Sequence, residues 1–191
     1  MKDLVLFGIQ GSGKGTQAKR LAAERGYVIF GAGERLRAIA SQDSELGRTV
    51  AACINHGNLV PPHVIMDVVR DYVTHTPVSQ AILFDGVPRD GEQMVEFDRI
   101  MAEAGRSFHG VNLSIPYDEA VARITKRAAE EGRADDVDPD FVRRRLSWFP
   151  EKCLPVIEHY REAGIVVDVD GRGPIDEVYQ SLVQAIDTLS A

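Results

Sequence analysis

The sequence predicts a three-layer α/β fold: a five-stranded parallel sheet with helices on both faces. Three observations carry this. Short apolar runs recur between segments of helical spacing, the runs show little alternation of apolar and polar residues, and the first run ends in a glycine-rich loop that opens into a helix. Strands covered on both faces read as such continuous runs, and strand-helix alternation makes the crossovers parallel and right-handed.

Leu4 to Phe7 is the first run. After the glycine-rich turn, Lys14 to Arg25 carries Ala18, Leu21 and Ala22 at helical spacing and stops at Gly26. Tyr27 to Phe30, Ala81 to Phe84, Val111 to Ile115 and Ile165 to Val169 supply the other strands. Helices are expected at roughly 34–40, 44–56, 61–73, 91–104, 117–131, 138–163 and 174–189. Pro61, Pro62 and Pro174 suit first-turn positions, whereas Pro150 and Pro155 should bend or divide the long helix. Two connections exceed what a crossover needs. Residues 31–60 place two helices between a strand and the returning helix, and residues 126–136 are dense in Glu, Asp and Arg. Both fall at strand ends, where a crevice forms. They read as two small mobile insertions that cover it, or as plain surface elaboration.

With 191 residues, 44% hydrophobic and 27% charged, the chain fits one globular domain, 1–191, without repeats or low-complexity stretches. A net charge of -7 argues against nucleic acid as a partner, since that needs a basic surface to displace counterions. No apolar run approaches membrane-spanning length, and the start MKDLVLFGIQG lacks the long apolar core of a signal peptide. A cytoplasmic monomer with no membrane partner is expected. Cys53 and Cys153 are too few for a disulfide framework or a four-cysteine zinc site and read as incidental thiols. His56, His63, His75, His109 and His159 share no ligand spacing. Residues 123–145 nevertheless hold seven basic side chains: Arg123, Lys126, Arg127, Arg133, Arg143, Arg144 and Arg145. Interleaved carboxylates permit a solvated helix face, and convergence on bound phosphates is the functional alternative.

Gly8-Ile9-Gln10-Gly11-Ser12-Gly13-Lys14-Gly15-Thr16 lies between a buried strand and a helix start, where successive backbone N–H groups and the helix end can bind an anion. Lys14 can reach the β- and γ-phosphates of a nucleotide. The common pattern has Ser or Thr directly after the lysine to bind Mg²⁺. Here Gly15 intervenes and the hydroxyl belongs to Thr16. Asp85, ending a buried strand, is then the candidate Mg²⁺ carboxylate, directly or through water, although an Asp also suits the start of a turn before Gly86.

The loop, down to Gln17, resembles the phosphate loop of adenylate kinases. Asp85-Gly86-Val87-Pro88-Arg89 is similar to that family's Asp-Gly-Phe-Pro-Arg, with Val87 for Phe. Ala32-Gly33-Glu34-Arg35-Leu36-Arg37 resembles its monophosphate segment, Gly132-Arg133-Ala134-Asp135-Asp136 its lid motif, and Arg144-Arg145-Leu146 with Pro155 and Tyr160 the stretch after the lid. In order and at matching spacing, these cover nearly the whole chain.

The resemblance implies a P-loop fold and transfer of the γ-phosphoryl group of Mg·ATP to AMP, giving two ADP. It implies ATP contacts from Gly11, Ser12, Gly13, Lys14, Gly15, Thr16, Arg123, Arg127 and Gly173. AMP contacts would come from Ala32, Arg37, Asn58, Leu59, Val60, Gly86, Val87, Pro88, Arg89, Gln93, Arg133 and Arg145. Lys14, Arg89, Arg127, Arg133 and Arg145 would act on the transferring group. Arg37 and Arg89 suit a phosphate because a planar guanidinium binds two oxygens at once, with surface ion pairs as the alternative. Gln93 would read the adenine edge, but Asp90-Gly91-Glu92-Gln93 also fits a capping box that merely closes a helix start. The short lid has no cysteine, so no zinc is expected. Ala32-Gly33-Glu34 departs from the family's Thr-Gly-Asp towards UMP/CMP kinases, which remain the alternative, with a nucleotide-binding regulator as the non-enzymatic one.

Overall fold

Strand β1 (Asp3–Phe7) divides its side chains between two apolar cores, as a strand with both faces covered must. Val5 and Phe7 enter one core and Leu4 and Leu6 the other, all at most 5% exposed. The same division runs through β3 (Ile82–Asp85), where Ile82 and Phe84 face the first core and Leu83 the second. This explains the missing alternation. With β2 (Val28–Gly31), β4 (Phe108–Ser114) and β5 (Val166–Asp170) they form an all-parallel sheet in the order β2-β3-β1-β4-β5. The computed structural model that shows this describes residues 2–131 and 139–190.

Helices α1 (Lys14–Arg25) and α9 (Ile175–Ser190) cover one face, contributing Ala18, Leu21, Val178 and Leu182 to the second core. The first core takes Val50 of α3 (Glu45–Asn55), Val64 and Val69 of α4 (Pro62–His75), Phe97 of α5 (Gly91–Glu103) and Val156 of α8 (Leu154–Glu162). Helix α2 (Ala32–Ala40) packs beside α3. A third, smaller core joins Ile9 of the glycine-rich loop to Ala120 and Ile124 of α6 (Tyr117–Glu131) and to Val142 and Leu146 of α7 (Pro139–Trp148).

All five expected strands form, but β4 begins three residues before Val111, at Phe108, and ends at Ser114. Gly110 and Asn112 interrupt its apolar pattern while sitting buried between neighbouring strands. The expected helix over 138–163 is divided where Pro150 and Pro155 cannot donate backbone bonds. A π-helical turn, Phe149–Cys153, separates α7 from α8. The expected insertion 31–60 contains α2 and α3, whereas the expected insertion 126–136 begins as the end of α6 and residues 132–136 lie outside the described residues.

At the amino-terminal edge of the sheet, Arg106 forms an ion pair with Asp3, both side chains 3% exposed. Its Nη2 also donates to the carbonyls of Thr76 at 2.7 Å and Pro77 at 2.8 Å, and Asp3 Oδ1 accepts from Ile82 N at 2.7 Å. Burial nonetheless holds the Asp3 carboxyl above its usual range despite the guanidinium, so desolvation outweighs attraction here. Arg106→Met should therefore strand a buried carboxylate and cost about 3–5 kcal/mol. Urea denaturation should show this as a lowered midpoint. A midpoint equal to the parent's would contradict the pair's role as a clamp.

Candidate active site

The β1–α1 junction builds an anion cradle. Gly8 has φ +142°, and a Cβ there would meet Leu113 O at 2.6 Å and Ser12 Oγ at 2.7 Å, so no side chain fits without displacing β4. Gly13 caps α1 in the left-handed region, at φ 94°, and no side chain bonds the helix start. The first N–H groups of α1 are thus left for a ligand. Lys14 Nζ turns back on the loop, donating to Gly8 O at 2.7 Å and Ile9 O at 3.0 Å. Burial lowers its pKa from the ordinary 10.5 to about 8. The Asp85 carboxylate opposes this, and the Arg89 and Arg127 guanidiniums add to it.

Strand β3 runs beside β1 and brings Asp85 level with Leu6, one residue before the loop's neighbour Phe7. Its Oδ2 would lie 3.8 Å from a Cβ at Gly15, and its carboxylate has no hydrogen-bond partner among the described residues. That suits a Mg²⁺ ion shared with a nucleotide's phosphates. No cluster of three or more His, Cys, Asp or Glu occurs among the described residues, so a cage built by protein alone is not what this site offers. After Asp85, Gly86 adopts φ +88°, and a Cβ there would sit 2.7 Å from Arg89 Nη2. Glycine is needed for Arg89 to fold back over the turn, in which the Val87–Pro88 peptide is cis.

Helix α5 starts at the same place. Asp90 caps it by accepting from Gln93 N at 2.9 Å, and the Gln93 side chain reaches back past the cap residue to accept from Arg89 N at 2.9 Å, a one-residue variant of the capping box. The capping pattern seen in the sequence is thus formed. Gln93, 2% exposed, also borders the cleft.

A single cleft of about 1410 Å³ lies over the carboxyl ends of β1 and β3. It brings together Gly11, Ser12, Gly13, Lys14, Gly15, Thr16, Arg123, Arg127 and Gly173 from the expected ATP site. From the expected AMP site come Ala32, Arg37, Asn58, Leu59, Val60, Gly86, Val87, Pro88, Arg89, Gln93 and Arg145, and Asp85 joins them. Arg133, Asp135 and Asp136 lie outside the described residues. Arg37 and Arg89 form no ion pair among the described residues. Arg123 is engaged differently. It pairs with Glu119 at 2.9 Å and donates to Gly171 O at 2.9 Å, tying α6 to the β5–α9 connection. Arg143 pairs with Asp140 on an exposed face, as the solvated reading of the basic cluster has it.

Trp148, Phe149 and Cys153 also line the cleft and were not expected there. Trp148 and Phe149 follow Arg145 by three and four residues, a spacing that puts them on the same helix face. Cys153, at the end of the π-helical turn that follows, lies four residues after Phe149. Burial pushes the Cys153 thiol up, against the pull of Arg89 and Lys14.

A glycine-rich anion cradle on the central strand of a parallel sheet, its lysine facing a carboxylate from the neighbouring strand, defines a nucleotide-binding protein of the P-loop kinase fold. Comparison with known proteins narrows the class. The profile of the family described as Adenylate kinase matches residues 6–165. The chain is 39% identical over 188 residues to the adenylate kinase of Kocuria rhizophila, covering 98% of this chain and 100% of that one. It is 38% identical over 186 residues to that of Maricaulis maris, covering 97% and 98%, and 38% over 184 residues to that of Thermus thermophilus, covering 96% of each. The chain belongs to the adenylate kinase family.

The depressed Lys14 pKa links stability to pH. Between about 8 and 10.5 the unfolded chain keeps a proton that folded Lys14 has released, so folded stability rises with pH across that window. Lys14→Met removes this titration. Measured against the parent at each pH, its ligand-free melting temperature should compare best below pH 8 and fall behind steadily as the pH approaches 10.5. A difference that stays flat over this range would show that Lys14 is not desolvated in the folded protein.

Proposed function

We propose that the chain transfers the γ-phosphoryl group of Mg·ATP to AMP, giving two ADP, inside this one cleft, and works as a cytoplasmic monomer. The observation that carries the reading is the convergence of Lys14, Arg37, Arg89, Arg127 and Arg145 on one cavity of a chain with net charge -7. Cations concentrated in a cleft of an acidic protein focus its field on polyphosphate ligands.

In this reading the cradle and Lys14 hold the β- and γ-phosphates of ATP, Arg123 adds charge to its phosphates, and Gly173 lies towards its adenine. Arg37 and Arg89 grip the AMP phosphate, while Ala32, the 58–60 backbone, Gly86 to Pro88 and Gln93 surround its base. Arg127, Arg145 and, from outside the described residues, Arg133 neutralise the transferring group. Mg²⁺ at Asp85 would supply further charge neutralisation to the phosphate oxygens. No histidine lines the cleft among the described residues, which agrees with a reaction that needs no base. The AMP phosphate that attacks is already ionised at neutral pH, so positioning and electrostatics do the work. Segments 31–60 and 126–136 cover the cleft and exclude water as the competing acceptor.

Ala32 offers the base no hydroxyl, and this is the feature that favours a pyrimidine acceptor. An acceptor panel decides between the two. AMP should exceed CMP and UMP in kcat/KM by on the order of 10²-fold, because a pyrimidine leaves the polar groups of the base pocket unpaired. Preference for CMP or UMP would reassign the acceptor. Lys14→Met should lower kcat by at least roughly 10²-fold in a chain that still folds. Two adenosines joined through five phosphates should raise the melting temperature more than ADP does. By mass action they contribute about 2.7 kcal/mol at a hundredfold excess over Kd. An equal effect from ADP would argue against two nucleotide sites meeting in one cleft.

A further inference from the structure

Gln93 carries two duties, and the bonds that serve the first constrain the second. Its Oε1 accepts from Arg89 N at 2.9 Å, and its Nε2 donates to Asp90 Oδ2 at 3.0 Å. A backbone N–H can only donate and a carboxylate can only accept. Turning the amide over would set oxygen against oxygen and N–H against N–H, so one orientation is enforced. A primary amide has two N–H groups and two oxygen lone pairs. The helix start uses one of each, leaving one donor and one acceptor at a residue that is 2% exposed and borders the cleft.

We propose that Asp90 is a specificity-determining positioning residue: by locking the Gln93 amide, it selects a 6-aminopurine over a 6-oxopurine in the acceptor monophosphate. This rests on the reading above in which Gln93 meets the base of AMP. A 6-aminopurine edge offers a donor at the exocyclic nitrogen and an acceptor at N1. A 6-oxopurine edge reverses both. With the nucleotide's phosphate gripped at its other end, the ring enters in one orientation, and only one of the two patterns meets a fixed amide with both bonds made. An amide free to turn would serve either base.

Asp90 also caps α5 through its other oxygen, Oδ1, which accepts from Gln93 N at 2.9 Å. The two jobs separate by substitution. Asp90→Ser keeps a capping oxygen but has no second acceptor for Nε2. Asp90→Asn keeps the capping oxygen, and the cap then points its amide nitrogen at Gln93, replacing an acceptor with a donor.

The test measures kcat and KM for AMP and for inosine monophosphate, which differs in the 6-substituent and the N1 proton alone, in the parent, both Asp90 variants and Gln93→Leu. The AMP-over-inosine monophosphate ratio of kcat/KM should fall at least ~10-fold in Asp90→Asn and less in Asp90→Ser, mostly through the monophosphate KM. The KM for ATP and the ligand-free melting temperature should stay near parental. The lost charge acts on both monophosphates alike and cancels in the ratio. If both Asp90 variants keep the parental ratio while Gln93→Leu lowers it, Gln93 reads the base but orientation by Asp90 is overturned. If Gln93→Leu also keeps the parental ratio, the base-reading role of Gln93 fails and the proposal falls with it. A proportional loss with both monophosphates and a lowered melting temperature would reduce Asp90 to a helix cap.

Discussion

Lys14 is held by carbonyl dipoles of its own loop, at 2.7 and 3.0 Å, with the Asp85 carboxylate favouring its charge and two guanidiniums working against it. A desolvated ammonium so placed is under-compensated, and the cradle around it is rich in backbone donors. Under the function proposed above, a bound polyphosphate would meet both deficits. The rest of the architecture follows from keeping that cradle in place. It grows from the central strand of the sheet, is buttressed by the carbonyl of Leu113 at a contact only glycine allows, and feeds directly into α1.

Elements on opposite sides of the cleft are tied to one another. Arg144 of α7 donates to His56 O at 2.9 Å and Trp148 donates to Gly57 O at 3.1 Å, both at the turn that follows α3. The helix that carries Arg145 is thereby linked to the segment that carries Asn58, Leu59 and Val60. Any separation of α7 from the α3–α4 connection must break these two bonds. Because the acceptors are backbone carbonyls, the link depends on the path of the chain rather than on the side chains at 56 and 57.

The sheet was legible because parallel strands buried on both faces leave unbroken apolar runs. β4 was misjudged at its start because its buried His109 and Gly110 separate Phe108 from the apolar run, although neighbouring strands cover them. The phosphate loop was legible even with Gly15 in place of a hydroxyl, since the glycines that permit the backbone path carry the signal. Arg37, Arg89, Asp85 and Gln93 were reached through motif resemblance, and the cleft collects them. Cys153 was missed because a thiol outside every motif gives no signal of a cleft, although it follows Phe149 at helical spacing. The bond of Arg123 to the Gly171 carbonyl could not be foreseen, because it depends on a loop that lies 48 residues further along the chain.

Gln93 shows why competing readings of one residue need not exclude each other. From the sequence, a capping role and a base-reading role compete, since Asp-Gly-Glu-Gln explains the glutamine without any ligand. The structure forms the cap and still leaves the side chain at the cleft. The count of hydrogen-bonding positions resolves the conflict: a helix start consumes two of the four that a primary amide possesses. A glutamate could accept from Arg89 N but could not donate to Asp90, and a leucine could do neither. The residue that closes the helix and keeps a donor and an acceptor in reserve must be an amide long enough to reach back one turn. At this position, the cap and the proposed reading of the base would call for the same chemistry.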